Sequence, residues 1–467
     1  MRTVIRGGTV VTADGAVPMD VLVQDERVAA LATGYSGLAD TWQGGADRVI
    51  DASGKYVVPG GIDAHTHMEM PFGGTKSADT FETGTRAAAW GGTTMIVDFA
   101  IQTKGESLLA GMDAWQAKAD GVCAVDYSFH AIISDVNEAS LKEMDELVAQ
   151  GVTSFKLFMA YPGVFYSNDR DILQAMDRAA GNGALIMMHA ENGIAIDAIV
   201  AAALARGQTD PVFHGLTRPA EMEGEATSRA IRLAQVTRAP LYIVHLSSAP
   251  ALDAVVEARD RGQNVFAETC PQYLFLSQDD MARPGFEGAK FVCTPPLRPR
   301  EHQAVLWRGL RTDDLSVVAT DHCPFCFTEQ KELGIGDFTK IPNGLPGVEN
   351  RMDLVYQGVV SGEIPLARWV EVTSTNPAKM FGLFPRKGTI APGSDADIVI
   401  YDPAGEHTIS AATHHMAVDY SCYEGMRLQG NVDAVFSRGR EIITAGRYTG
   451  EPGHGQFVPR RLSQHLR

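Results

Sequence analysis

Residues 153–191 read TSFKLFMAYPGVFYSNDRDILQAMDRAAGNGALIMMHAE. Two short apolar runs, TSFKLFMA (153–160) and ALIMMHAE (184–191), bracket a stretch with helical spacing, DILQAMDRAAGNG, that stops on glycine. Apolar runs this short read as buried strands, and the segment between them reads as a helix with a glycine stop. Two strands joined through a helix lie parallel. The same texture continues in both directions. GGIDAHTHM (60–68), TTMIVDFA (93–100) and DYSFHAII (126–133) lie upstream; LYIVHLSS (241–248), VFAETCPQYL (265–274) and LSVVATDHCPF (315–325) lie downstream. Helix-like segments such as SLKEMDELVAQG (140–151) and EATSRAIRLAQVTRAP (225–240) separate them. Eight such units in an α/β alternation predict a (β/α)8 TIM barrel over residues 58–384.

The flanks differ. TVIRGGTVVTADG, MDVLVQDERVAAL and RVIDASGKYVV, within residues 1–57, alternate apolar and polar positions and break at Gly. KGTIAPGSDADIVIYDP (387–403) and VDAVFSRGREIITAGRYTG (432–450), within residues 385–467, do the same. This is the pattern of half-buried strands. Termini often lie close together, so the two flanks are expected to form one small β-sandwich. The tail EPGHGQFVPRRLSQHLR is expected either to reach a neighbouring subunit or to be disordered in its last residues.

A formal charge of −17 over 467 residues repels phosphate backbones and excludes nucleic acid as a partner class. The longest apolar runs fall short of a membrane span. The start, MRTVIRGGTVV, lacks the apolar core of a signal peptide. The six cysteines are thinly spread and do not form a disulfide framework. Cytoplasmic placement is expected. Cys323 and Cys326 make a C-x-x-C, but no second pair at regular spacing completes a zinc finger.

The chemistry sits at the strand ends. His65 and His67 close the first run, Lys156 lies in the fourth, His189 and His245 close the fifth and sixth, and Asp321 closes the eighth. In a barrel the carboxyl ends of all strands converge on one face. A lone histidine at a strand end is more often a satisfied structural residue than a ligand, and His130 in the third run is read that way. The joint pattern carries the argument: a His-x-His, whose two imidazoles share one side of a strand, with two further histidines, a lysine and an aspartate at equivalent ends. Imidazole and carboxylate together suit divalent zinc, and also manganese or cobalt. Lys156 stands between Phe155 and Leu157. Desolvation lowers a lysine pKa, and a neutral amine can add carbon dioxide to become a carbamate able to bridge two metals. The bland reading of Lys156 is a salt-bridged or snorkelling lysine.

GGIDAHTHMEMPFGG, SFKLFMAY, MMHAENG, YIVHLSS, AETCPQYL, FVCTPPLR, ATDHCPF, IPNGLPG and KGTIAPGSDADIVIYDP together resemble the dihydropyrimidinase and D-hydantoinase branch of the cyclic amidohydrolases, over nearly the whole chain. That resemblance implies hydrolysis of the cyclic amide bond of dihydropyrimidines or 5-substituted hydantoins to N-carbamoyl amino acids. It implies two divalent metals, usually zinc, and a homotetramer. His65, His67 and Asp321 are implied to hold the more buried metal, and His189 and His245 the more exposed one. Lys156, as N6-carboxylysine, is implied to bridge them. Asp321 is implied to take a proton from a bridging hydroxide and pass it to the leaving nitrogen, and Tyr161 to hydrogen-bond the oxyanion. Main-chain groups at Thr294 and Asn343 are implied to hold the ring, with Phe72, Phe158 and Phe165 as walls for the exocyclic group. Packed core aromatics are the plain alternative for the three phenylalanines and for Tyr161. Where relatives carry CPFN this chain has Cys326, and the C-x-x-C is assigned no metal.

Four other readings compete. Dihydroorotase-like relatives carry an arginine soon after His-x-His for a substrate carboxylate; here Met68, Glu69, Met70, Pro71 and Phe72 follow. An allantoinase-like enzyme fits the metal motifs equally well, although the tyrosine of FMAY favours the hydantoinase branch. A non-catalytic scaffold relative would have lost metal ligands, and all six are present. No G-x-S-x-G elbow marks a serine hydrolase.

Overall fold

The computed structural model describes residues 1–33, 41–42 and 44–466. Residues 34–40 and 43 of the expected N-terminal β segment, and residue 467 of the tail, lie outside the described residues. Eight parallel strands follow chain order: β1 (Gly61–Thr66), β2 (Thr93–Ile101), β3 (Asp126–Ile132), β4 (Ser154–Phe158), β5 (Leu185–His189), β6 (Leu241–Ile243), β7 (Val265–Thr269) and β8 (Val317–Val318). Each pairs with the next. A parallel bridge between Thr66 and His322, with the His67 amide donating to the His322 carbonyl at 2.8 Å, joins the first strand to the last. The expected (β/α)8 barrel is therefore observed.

Strand periodicity sorts the side chains into two layers. Phe155, Leu157, Ile186, Met188 and Ile243 pack outward against the helices. Phe99, Ile132, Phe158, Met187, Tyr242, Phe266 and Val317 fill the interior. Lys156 belongs to the inward set. Its sequence neighbours Phe155 and Leu157 thus face away from it, and the apolar surroundings of its amine come from other rings.

Outside the barrel, Ile398–Thr408 pairs antiparallel with Tyr56–Pro59 in a seven-stranded sheet that mixes strands from both flanks. A four-stranded sheet lies beside it, and Ile5, Val21, Val57, Ile398, Ile400 and Phe436 form the shared core. The described part of the tail packs against the barrel of its own chain. It docks on the amino ends of the strands, where Tyr127 donates to the Gln456 carbonyl at 3.0 Å and Val458 to the Tyr127 carbonyl at 2.8 Å. The buried Arg460 side chain donates to Ser128 and Ser154 Oγ at 3.0 and 2.9 Å. These contacts close the stability face of the barrel and leave the opposite face for chemistry. No described helix is long and apolar enough to cross a membrane.

Candidate metal centre

His65 Nε2, His67 Nε2 and Asp321 Oδ1 form a triangle with sides of 3.2, 3.2 and 3.3 Å. Tetrahedral ligands at about 2.0–2.1 Å from one ion stand about 3.3–3.4 Å apart. These three atoms therefore fit a single divalent cation. His189 Nδ1 and His245 Nε2 lie 2.9 Å apart and make a second pair. Lys156 Nζ stands 3.0 Å from His65 Nε2, and the Phe99 and Phe158 ring centres lie 4.3 and 4.9 Å from it. All six residues are buried. The structure thus brings every ligand expected from sequence to one end of the barrel.

Three residues of the site hold a left-handed backbone. His245, Asp321 and Tyr161 hold φ of +39°, +52° and +61°. Such conformations cost on the order of 1–3 kcal/mol each for a residue with a Cβ, and persist where the surroundings enforce them.

The charges explain how the ligands stay available. Burial lowers His67 to about 3 and pushes His245 well below its usual range, so both are neutral donors of lone pairs. Burial and the Lys156 ammonium push His65 down, but the Glu268 and Asp321 carboxylates outweigh them and raise it. Burial pushes Asp321 up, yet the imidazoles of His65 and His67 dominate and hold it well below the usual carboxylate range. Burial lowers the Lys156 amine to about 8 against the pull of Asp321 and Glu268.

Two carboxylates that sequence reading missed orient the ligands. Glu268 hydrogen-bonds His65 Nδ1, accepts from the His245 amide at 3.1 Å and accepts from the Tyr242 hydroxyl at 2.8 Å. Glu191 pairs with His189 Nε2 at 2.8 Å. Each fixes which ring nitrogen turns toward the centre. Their positions near the carboxyl ends of β7 and β5, in AETC and HAEN, carried the signal. Glu268→Gln is expected to weaken metal affinity about 10–100-fold. Chelator competition measures this, and unchanged affinity removes Glu268 from that role.

His130 is a satisfied structural residue, as expected: its ring bonds Ser154 Oγ and the Ala64 carbonyl. Asp126, Asp395 and Asp397 also converge. Lys387 Nζ lies 2.5, 3.0 and 2.6 Å from them, so this cluster already holds its counter-charge. Cys326 Sγ contacts the Ala417 carbonyl at 3.8 Å, whereas Cys323 lines the site.

A cavity of about 40 Å³ is lined by His67, Lys156, His189, His245 and Asp321 together with Tyr161, Thr294, Asn343 and the three phenylalanines. Phe158 and Phe165 stack at 5.0 Å and Phe72 meets Tyr161 edge-on at 5.4 Å, so these aromatics pack on one another and line the cavity as well. Phe72, Tyr161 and Asn343 also border an outer chamber of about 600 Å³. The Thr294 hydroxyl lies 3.1 Å from His214 Nε2. Burial raises the Tyr161 phenol above its usual range, against the influence of Thr294 and Asn343. The phenol is therefore a protonated donor at neutral pH.

Comparison with known proteins agrees with this geometry. The model of the amidohydrolase family matches residues 56–442. A D-hydantoinase from Streptomyces coelicolor is 66% identical over 465 residues, spanning 100% of this chain and 99% of the relative. A D-hydantoinase from Geobacillus stearothermophilus is 49% identical, spanning 98% and 97%. The crystal structure of dihydropyrimidinase from Brevibacillus agri NCHU1002 superposes with a TM-score of 0.96 at 49% identity, covering 99% of each chain. With a barrel, a convergent divalent-metal ligand set and relatives matched end to end, this chain belongs to the amidohydrolase family.

Proposed function

We propose that the chain hydrolyses the cyclic amide bond of D-configured 5-substituted hydantoins, with dihydropyrimidines as a second ring class, giving N-carbamoyl amino acids. The observation that carries this is the convergence of two ligand sets, Lys156 and Tyr161 on one small cavity beside a larger chamber. The hydantoin and dihydropyrimidine assignments draw on the relatives named for those rings.

His65, His67 and Asp321 would hold one divalent ion, His189 and His245 the other, and a carboxylated Lys156 would serve both. Zinc is the proposed ion, because imidazole and carboxylate ligands suit it. When bound, the metal pair supplies Lewis acidity that brings the pKa of water from about 15.7 to about 7 and polarises the amide carbonyl. Main-chain groups at Thr294 and Asn343 hold the ring, and Phe72, Phe158 and Phe165 receive the exocyclic group. The Tyr161 hydroxyl donates to the carbonyl oxygen as it gains charge. Asp321 accepts one proton of the attacking water and returns it to the ring nitrogen as the C–N bond breaks, and the acid formed at the former carbonyl carbon releases its remaining proton to solvent as it becomes a carboxylate.

The same proposal makes the protein a homotetramer in the cytoplasm. The helix Gly193–Ala205 supports association: it carries Asp197 as its one charged side chain, yet Ile194 is 56% exposed. Such an apolar face is normally covered. The six cysteines are all unpaired, as a reducing compartment would leave them.

A hydrolysis panel tests the function: D- and L-substituted hydantoins, dihydrouracil, allantoin and dihydroorotate, with and without added zinc, manganese or cobalt. D-hydantoins are expected to turn over fastest; preferential turnover of allantoin, or of nothing under any metal, overturns the assignment. Tyr161→Phe is expected to lower kcat about 10²–10³-fold with little change in KM. An unchanged kcat removes Tyr161 from the oxyanion role.

A further inference from the structure

A buried lysine that the proposed chemistry does not use lies behind the site. Lys331, on the short helix Lys331–Gly334 of the loop after β8, is fully buried. Its Nζ donates to the carbonyls of Val292, Pro342 and Gly344 at 2.9, 2.7 and 2.9 Å. An ammonium has three N–H donors, and here each meets one acceptor. Among the described residues no carboxylate pairs with it; the groups facing it are the thiols of Cys293, Cys323 and Cys422 and the Phe325 ring. A buried charge held by carbonyls alone is costly, so its placement calls for a reason.

The three carbonyls belong to two turns that share one purpose. Val292 lies two residues before Thr294, and Pro342 and Gly344 flank Asn343. Both Thr294 and Asn343 line the cavity. The turns come from separate parts of the chain, and a direct bond also stitches them: the Gly344 amide donates to the Val292 carbonyl at 3.0 Å. Gly344 has φ +150°, and a Cβ there would stand 2.1 Å from the Cys323 carbonyl oxygen, so this crossing tolerates no side chain.

We propose that Lys331 is a positioning residue for ring recognition: its ammonium locks the 292–294 and 342–344 segments in one register, so that their main-chain groups present a fixed edge to the cyclic substrate. The proposal rests on the reading of Thr294 and Asn343 as ring contacts. Lys331 touches neither the substrate cavity nor the metal ligands, and it acts through the turns alone. Burial pulls its amine to about 7, whereas the three carbonyls favour the charged form that satisfies them all.

The test compares hydantoin with succinimide on the metal-loaded protein. Succinimide keeps the scissile imide and replaces one ring N–H by CH2, so the ratio of the two kcat/KM values reads the ring-edge contact. Wild-type protein is expected to favour hydantoin. In Lys331→Met that ratio is expected to shrink about fivefold or more, mainly through the KM for hydantoin, with metal content unchanged. Lys331→Gln keeps two donors and is expected to fall between. A folded, metal-loaded Lys331→Met protein that keeps the wild-type ratio overturns the positioning role while leaving the ring contacts intact. A wild-type protein with no preference for hydantoin removes the contacts themselves and the proposal with them. Failure of both variants to fold makes Lys331 a stabilising lysine and overturns the proposal equally.

Discussion

Lys156→Ala is expected to leave no measurable hydrolysis and to strip most of the bound metal. The lysine lies on β4 with its Nζ 3.0 Å from His65 Nε2, inside both ligand sets. As an ammonium it would repel any divalent cation placed there; at about 4 Å even an effective dielectric of 20 leaves several kcal/mol per pair of charges. As a carbamate the same side chain attracts the metals. The step balances simply: the Nζ lone pair adds to the carbon of carbon dioxide and the nitrogen gives up a proton. An amine whose pKa burial has lowered to about 8 is about one-tenth neutral at pH 7 and about one-hundredth at pH 6. Metal reconstitution of stripped protein, at fixed dissolved carbon dioxide, is therefore expected to quicken steeply from pH 6 to 8 and to level off above. His65, raised by Glu268 and Asp321, must also lose its proton and pushes in the same direction. Inductively coupled plasma analysis of Lys156→Ala and a pH series on wild-type protein check both halves. Near-normal turnover in the variant, or reconstitution indifferent to pH below 8, defeats the carbamate.

The barrel was legible because its strands are buried on both faces and so read as unbroken apolar runs. Even β8, reduced to Val317–Val318, announced itself through the ATDHCPF that follows it. The ligands were legible because barrel topology places all carboxyl ends together. What sequence could not convey depends on contacts made across the chain. Glu268 looks like any acid in a strand until Tyr242 and His65 close on it. Lys331 sits in FTEQKELGIG, a stretch whose polarity suggests a solvated loop; it is buried only because that loop folds back over two turns. The tail is polar enough to suggest disorder, but Arg460 reaches into the base of the barrel and finds partners on β3 and β4. In each case a charged side chain left solvent for partners distant in sequence, which hydrophobic patterning does not encode.

Asp321→Asn is expected to lower kcat by about 10⁴-fold while keeping most of the metal. Asn preserves the shape of the side chain and an oxygen donor, so the triangle with His65 and His67 Nε2 at 3.2 and 3.3 Å can still hold an ion. What the amide cannot do is take up a proton. In the proposed cycle the carboxylate does so once, when water attacks, and then acts as the acid for the leaving nitrogen. General acid–base catalysis contributes about 10²–10⁴-fold per positioned group, and here one residue serves both steps, so the upper end applies. In the proposed cycle the local backbone sets where the Asp321 carboxylate stands for both proton transfers. It stands beyond the end of β8 at φ +52°, and the adjacent His322 is anchored to Asp79 at 3.0 Å. A comparison of Asn with Ala separates the two functions of the side chain. The Ala variant should lose metal and turnover together, whereas the Asn variant should lose turnover alone. Single-turnover hydrolysis alongside metal analysis decides between them, because a metal-replete Asn protein within tenfold of wild type would place the proton on some other group.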